Sequence, residues 1–166
     1  SIFAPYRSSS KYFGPVFKLR RSSDGDTQDF YSDGSGNLYT TISGTTTTVT
    51  SWLSSLSLTA YVVTWYDQSG AGRNATQSTT GNQPKLNVGG RFVDFKTSAY
   101  LNLPYTVLPT GDLPYSFVTQ FRSINNNIGG VFGVGGQAAN MCICLRRGGT
   151  QLTSYWYSND YTYGTY

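Results

Sequence analysis

The sequence predicts an all-β fold, a two-sheet antiparallel sandwich with one short helix, and three observations predict it. Val, Thr, Tyr and Phe recur in short runs broken by Gly, Asn, Asp and Pro every eight to twelve residues, the punctuation of short strands joined by turns. Aromatic residues make up 16% of the chain and 14 of them are Tyr, a composition that suits a pleated, half-buried surface. At 166 residues the chain has the length of one domain, read here as a single β-sandwich over residues 1–166.

Strands are expected at Val16 to Arg21, Gln28 to Tyr31 and Leu38 to Ile42, each an apolar or β-branched run bounded by turn residues. A departure from this rhythm follows: Val49, Trp52, Leu53 and Leu56 fall at i, i+3, i+4 and i+7 behind Thr47 or Thr48 as caps. That spacing predicts a helix of two turns near residues 48–55. The clearest strand is Thr59 to Tyr66, with Tyr61, Val63 and Trp65 on one face and Ala60, Val62, Thr64 and Tyr66 on the other. Both faces are largely apolar, which predicts a central, covered strand. Further strands are expected at Ala75 to Gln77, Phe92 to Phe95, Tyr100 to Leu103, Ser116 to Ser123, Gly130 to Val134, Met141 to Arg146 and Thr153 to Tyr157. Ten or so short strands imply two stacked sheets. The brief runs Ser8–Ser10, Thr45–Thr48 and Asn125–Asn127, and the glycines at 129, 130, 133, 135 and 136, read as loop tips and bulges. The segment from Ser154 to Tyr166 still reads as strand and hairpin, so the domain is expected to continue past Tyr166.

Absences exclude much chemistry. The chain has no His and no Glu, and all eight acidic residues are Asp. A His-dependent triad, a His-ligated zinc site and a Glu general acid are therefore ruled out. The formal charge is +4, with 12 basic residues scattered from Arg7 to Arg147. A nucleic-acid binder carries a denser basic stripe, so no nucleic-acid partner is expected. No apolar run is long enough to cross a bilayer, and Ser1-Ile2-Phe3-Ala4-Pro5 has neither an initiator Met nor a signal-peptide core. About a quarter of the residues are Ser or Thr and only 12% are charged, a hydroxyl-rich skin that suits an extracellular or virion surface. Cys142 and Cys144 are one residue apart; in a strand their Cα atoms would lie about 7 Å apart, at the limit of disulfide reach. They are read as small buried apolar residues, which leaves the redox compartment open.

Two motifs stand out. The stretch Trp65-Tyr66-Asp67-Gln68-Ser69-Gly70-Ala71-Gly72-Arg73 reads first as a tight turn after a strand. Asp67 can accept backbone N–H bonds there, Gly70 and Gly72 can take positive φ, and Arg20, Arg21 or Arg73 can offset the burial of Asp67 as an ion-pair partner. The second motif is Arg20-Arg21-Ser22-Ser23-Asp24, after Gly14-Pro15-Val16. Together they resemble the catalytic-type domain of α-L-arabinofuranosidase B, over roughly residues 4–104. Similar jelly-roll modules of the concanavalin A and laminin-G type occur in bacterial secreted proteins and in phage and large-virus structural proteins. The resemblance implies a jelly-roll sandwich. It also implies a retaining hydrolase with two carboxyl groups about 5 Å apart, but the family's nucleophile is a Glu, and this chain has none to receive that role. Pairs could be drawn from Asp24, Asp26, Asp29, Asp67, Asp94, Asp112 and Asp160, yet no motif selects two of them.

Other candidates are binding features. Asp24, Asp26 and Asp29 could offer oxygen ligands to Ca²⁺, against the reading of a solvated turn with Asp24 near Arg20 or Arg21. Asn74-Ala75-Thr76 is an N-glycosylation sequon. Tyr155, Trp156, Tyr157, Asn159, Asp160, Tyr161 and Tyr163 form the best candidate for a recognition surface. Aromatic planes pack on the C–H faces of sugars while amides and carboxylates bond their hydroxyls; the competing reading is core and interface. No catalytic residues and no obligatory cofactor are assigned. The function expected is a non-catalytic structural or recognition module of a capsid, tail or fibre, with other subunits or surface glycans as partners. The alternatives are a glycoside hydrolase of the arabinofuranosidase type and a calcium-dependent lectin-like domain.

Overall fold

Alternation of apolar and polar residues places one face of a sheet against a core. The computed structural model describes residues 1–54, 57–89, 91–96, 98–104, 116, 118–122, 129–135, 142–148, 151–155 and 161–165. They are antiparallel strands with a single short α-helix, and they fall into two compact units, Ser1–Thr110 and Gly111–Tyr166.

The first unit carries strands β1 (Phe17–Arg21), β2 (Thr27–Ser32), β3 (Leu38–Ile42), β4 (Thr45–Thr48), β5 (Ala60–Trp65), β6 (Ala75–Thr76), β7 (Lys85–Asn87) and β8 (Phe92–Asp94), with helix α1 (Val49–Leu53) between β4 and β5. Their order is β4-β3-β2-β1-β5-β7-β8, with β6 also paired to β5. Phe17 and Leu19 on β1, Phe30 on β2, Val62 and Ala60 on β5 and Leu86 on β7 are all buried on one face. Helix α1 adds Val49, Trp52 and Leu53 to the same cluster, with the Trp52 ring edge-on to Phe30 at 5.2 Å. Burying each large apolar side chain contributes about 1.5–3 kcal/mol. A surface ion pair such as Lys96–Asp94, at 3.3 Å, gives roughly 0–1 kcal/mol, so the core dominates.

The helix starts where expected. Thr48 is extended and its hydroxyl accepts the Ser51 N–H at 3.2 Å. It is shorter than the predicted two turns because Ser54 takes the left-handed conformation, φ 59°, and closes it; Leu56 lies outside the described residues. The central position of β5 agrees with the sequence, but its simple alternation does not hold. Phe17 faces Trp65 while Leu19 faces Val62, so a bulge at Val63 turns Trp65 toward the core side, where its ring meets Phe17 at 5.3 Å.

Three other expectations change. Thr45–Thr48 is the edge strand β4, not a loop tip, because Ser43 and Gly44 both take positive φ (49° and 81°) and form a two-residue hairpin turn. Among the described residues Tyr100 to Leu103 makes one rung, Asn102 with Thr76, because its partner β6 is only two residues long. Ser116 and residues 118–122 fall in no strand. Period-two patterning supplies propensity, but a strand requires a neighbour to hydrogen-bond it, and no described strand pairs with this stretch. The short β7 went unpredicted because Leu86 is its one apolar residue.

The second unit is a four-stranded meander, β9 (Gly129–Gly135), β10 (Cys142–Gly148), β11 (Gln151–Tyr155) and β12 (Tyr161–Thr165), paired in sequence order. A register shift between Leu145 and Arg146 bulges the glycine-rich β9 against β10. No helix among the described residues is long and apolar enough to cross a membrane.

Phe30 is fully buried between β1 and α1. Phe30→Ala is therefore expected to cost about 3–5 kcal/mol in urea unfolding, and a cost below about 1 kcal/mol would show that this face is not the core.

Candidate functional site

The bend after β5 is built around a buried carboxylate. Asp67 is 4% exposed, and its Oδ1 accepts N–H bonds from Ile2 (2.9 Å) and Ser69 (3.0 Å) while Oδ2 accepts that of Arg73 (3.2 Å). Burial works against its ionised form, but the N–H groups of Ile2, Ser69 and Arg73 outweigh it and hold the carboxyl far below the usual range. The expected arginine ion pair is not what satisfies it. Arg73 meets Asp67 through its backbone N–H, and none of the ion pairs among the described residues includes Asp67. Gly70 and Gly72 take positive φ, 82° and 69°, as the turn requires.

Gln68 completes the clamp. It is 5% exposed; its amide nitrogen donates to the carbonyls of Ala4 and Tyr6, both at 3.0 Å, and its Oε1 accepts the Ser8 N–H at 2.7 Å. The Trp65 indole N–H also donates to the Ala4 carbonyl at 3.0 Å. The turn thus spends its polar groups on holding the N-terminal arm, residues 2–8. Asn74 of the sequon is enlisted as well, its Oδ1 accepting the Asp67 N–H at 2.9 Å. Tyr66 leaves the turn and donates its hydroxyl to Asp29 at 2.8 Å; burial, then that bond, pushes its phenol well above the ordinary value.

The second motif is also an anchor. Arg21 donates from Nε and Nη2 to the two oxygens of Asp24, at 3.0 and 2.8 Å, lies over the Trp52 ring at 5.1 Å and donates from Nη1 to the Trp52 carbonyl. The bidentate bond to Arg21 holds the Asp24 carboxyl down at about 2. Arg20 turns to the other side of the sheet, where it bonds Gln83 at 2.7 Å and stacks on Tyr61 at 4.7 Å.

Of the three carboxylates considered for Ca²⁺, Asp24 and Asp26 meet at Arg21 Nη2, 2.8 and 3.5 Å away, so a cation already sits between them, and Asp29 is turned to Tyr66. Asp26 also accepts the Trp52 indole N–H at 2.9 Å. Among the described residues no group of three metal-ligating side chains forms. Tyr155 lies on β11 opposite Cys144, and Tyr161 and Tyr163 lie on β12. Trp156, Tyr157, Asn159 and Asp160 of the aromatic segment lie outside the described residues, as does Asp112.

A pocket of about 430 Å³ that no local sequence motif signals lies between the clamped arm and the β2–β3 hairpin. Its walls include Tyr6, Arg7, Ser9, Asp33, Ser35 and Arg91. Asp33 spends its carboxylate on the hairpin, accepting from Ser35 N (2.9 Å), Asn37 N (2.8 Å) and Asn37 Nδ2 (2.9 Å), and the Asn37 side chain, followed by these N–H groups, lowers its pKa. The Asp33-Gly34 turn signature was legible in the sequence; the arrival of Arg91 from 54 positions beyond Asn37 was not. Compared with protein-family models, curated proteins and solved structures, the chain finds no match.

Because the folded-state pKa of Asp67 lies below its unfolded value of about 3.9, its stabilisation is fully present above that pH and is lost as pH falls through the folded value. Urea titrations over a pH series are expected to find Asp67→Asn destabilised at neutral pH and with a shallower loss of stability below about pH 4. An acid limb identical to that of the parent would contradict this role.

Proposed function

We propose that the chain is a non-catalytic structural and recognition module of an extracellular or virus-particle surface, a component of a capsid, tail or fibre. The observation that carries this reading is the employment of the carboxylates among the described residues. Asp24, Asp26, Asp29, Asp33 and Asp67 each accept hydrogen bonds from the protein itself, and Asp94 pairs with Lys96. A glycosidase needs one carboxyl free to attack and one to donate a proton.

Exposed aromatic side chains support an assembly role. Phe13 is 77% exposed, and Phe95, Tyr100 and Phe121 lie between 42% and 50%; solvent-facing rings of this kind offer apolar area to a partner. The order of the RRSSD and YDQSG motifs supports a jelly-roll sandwich of the concanavalin A or laminin-G type. The tyrosine-rich segment of residues 155–163 supports surface glycans as a second class of partner.

Sedimentation velocity over a concentration series, alongside a sugar-release assay on a panel of glycosides, tests the reading. The module is expected to self-associate, with association weakened by Phe13→Ser or Phe121→Ser, and to release no sugar. Sugar release that Asp→Asn substitutions abolish would overturn it.

A further inference from the structure

The pocket beside the β2–β3 hairpin has two cations and no free anion. Arg91 reaches the hairpin from a left-handed backbone, φ 51°, a conformation that a non-glycine residue adopts only at a cost. Its Nη1 donates to the Ser35 carbonyl at 2.9 Å and its Nη2 to Asn37 Oδ1 at 3.2 Å. Both acceptors are neutral, and three of its five N–H donors remain. Arg7 approaches the hairpin from the arm, with its guanidinium 5.8 Å from the Phe13 ring and no ion pair or hydrogen bond among the described residues. Gly36 makes room for Arg91, since a Cβ there would come within 3.0 Å of Arg91 Nη1, and Gly34 lies beside Arg7 Nη2. Asp33, the pocket's carboxylate, is already occupied by Ser35 and Asn37. Serine hydroxyls and the Tyr6 ring complete the walls.

We propose that this pocket binds a sugar-sized molecule bearing a tetrahedral oxyanion, a sulfate or phosphate monoester, with the oxyanion on Arg7 and Arg91. Guanidinium groups suit such an anion because their planar N–H pairs match its oxygens. The volume of about 430 Å³ is in the range of small-molecule sites and leaves room beside the oxyanion for a polar body that the serine hydroxyls and Tyr6 contact. The Asp67–Gln68 clamp sets the position of Arg7, because Gln68 grips the chain at Tyr6 and Ser8, on either side of it. This assignment goes beyond the module reading and does not depend on it.

Calorimetric titration of the full chain with a sulfated monosaccharide, its phosphorylated counterpart, the neutral sugar and inorganic sulfate tests the proposal. Either ester is expected to bind more tightly than the neutral sugar or inorganic sulfate, and to weaken with added salt; the better of the two identifies the anion. Arg91→Gln also removes bonds to the hairpin, so Arg7→Gln, which breaks no described hydrogen bond, is the decisive variant. It is expected to weaken ester binding about tenfold, the scale of one charge-assisted bond, while Lys96→Gln leaves it unchanged. Failure of both esters to bind, ester binding undiminished by Arg7→Gln, or inorganic sulfate binding as tightly as the esters would overturn it.

Discussion

A carboxylate taken out of water with no counter-ion among the described residues is the constraint on which the rest of the first unit depends. Removing a charge from solvent costs several kcal/mol unless its oxygens are fully hydrogen-bonded. Asp67 meets that demand with N–H groups from Ile2, Ser69 and Arg73, which lie in the arm, at the bend and beyond it. Satisfying one charge therefore fixes three stretches of backbone. Gln68 repeats the logic with a neutral amide, and the Trp65 indole joins at Ala4. Phe3 is thereby set edge-on to Trp65 at 5.9 Å, closing that end of the apolar cluster.

The RRSSD motif does comparable work at the other end of the β1–β5 ladder. The register runs from Phe17–Trp65 to Arg21–Ala60, so the two motifs bracket the same central pair of strands. Arg21 ties the β1–β2 turn, through Asp24, to the last residues of α1, through Trp52. One anchor is an anion held by backbone donors, and the other is a cation held by a carboxylate, a carbonyl and an aromatic face. Both are spent on architecture, and the surface they frame is left to exposed aromatic rings and to the two arginines beside the hairpin.

Much of this was legible from the residues alone. Strand β3 and the start of α1 followed from local pattern because their determinants, alternation and a threonine cap, are local. The bend at Asp67 was legible for the same reason, down to the positive φ of Gly70 and Gly72. What escaped depended on distant pairing. The bulge at Val63 exists only against β1, the clamp on Ile2 spans 65 positions, and β7 is a strand because β5 and β8 flank it. Arginine partners for Asp67 were a reasonable inference from charge, but backbone donors from the arm reached it first. Side-chain chemistry tells what a buried group needs; the fold decides which neighbour supplies it.

Native-state hydrogen exchange tests this account most directly, because the amides of Ile2 and Ser8 would be free in an unpinned arm. Their N–H groups donate to Asp67 and Gln68, whereas that of Val62 donates to the Pro84 carbonyl within the core sheet. The account predicts that Ile2 and Ser8 exchange slowly, with protection approaching that of Val62 and lost together in Asp67→Ala. Exchange of both amides at the rate of an unstructured peptide, while Val62 stays protected, would contradict it.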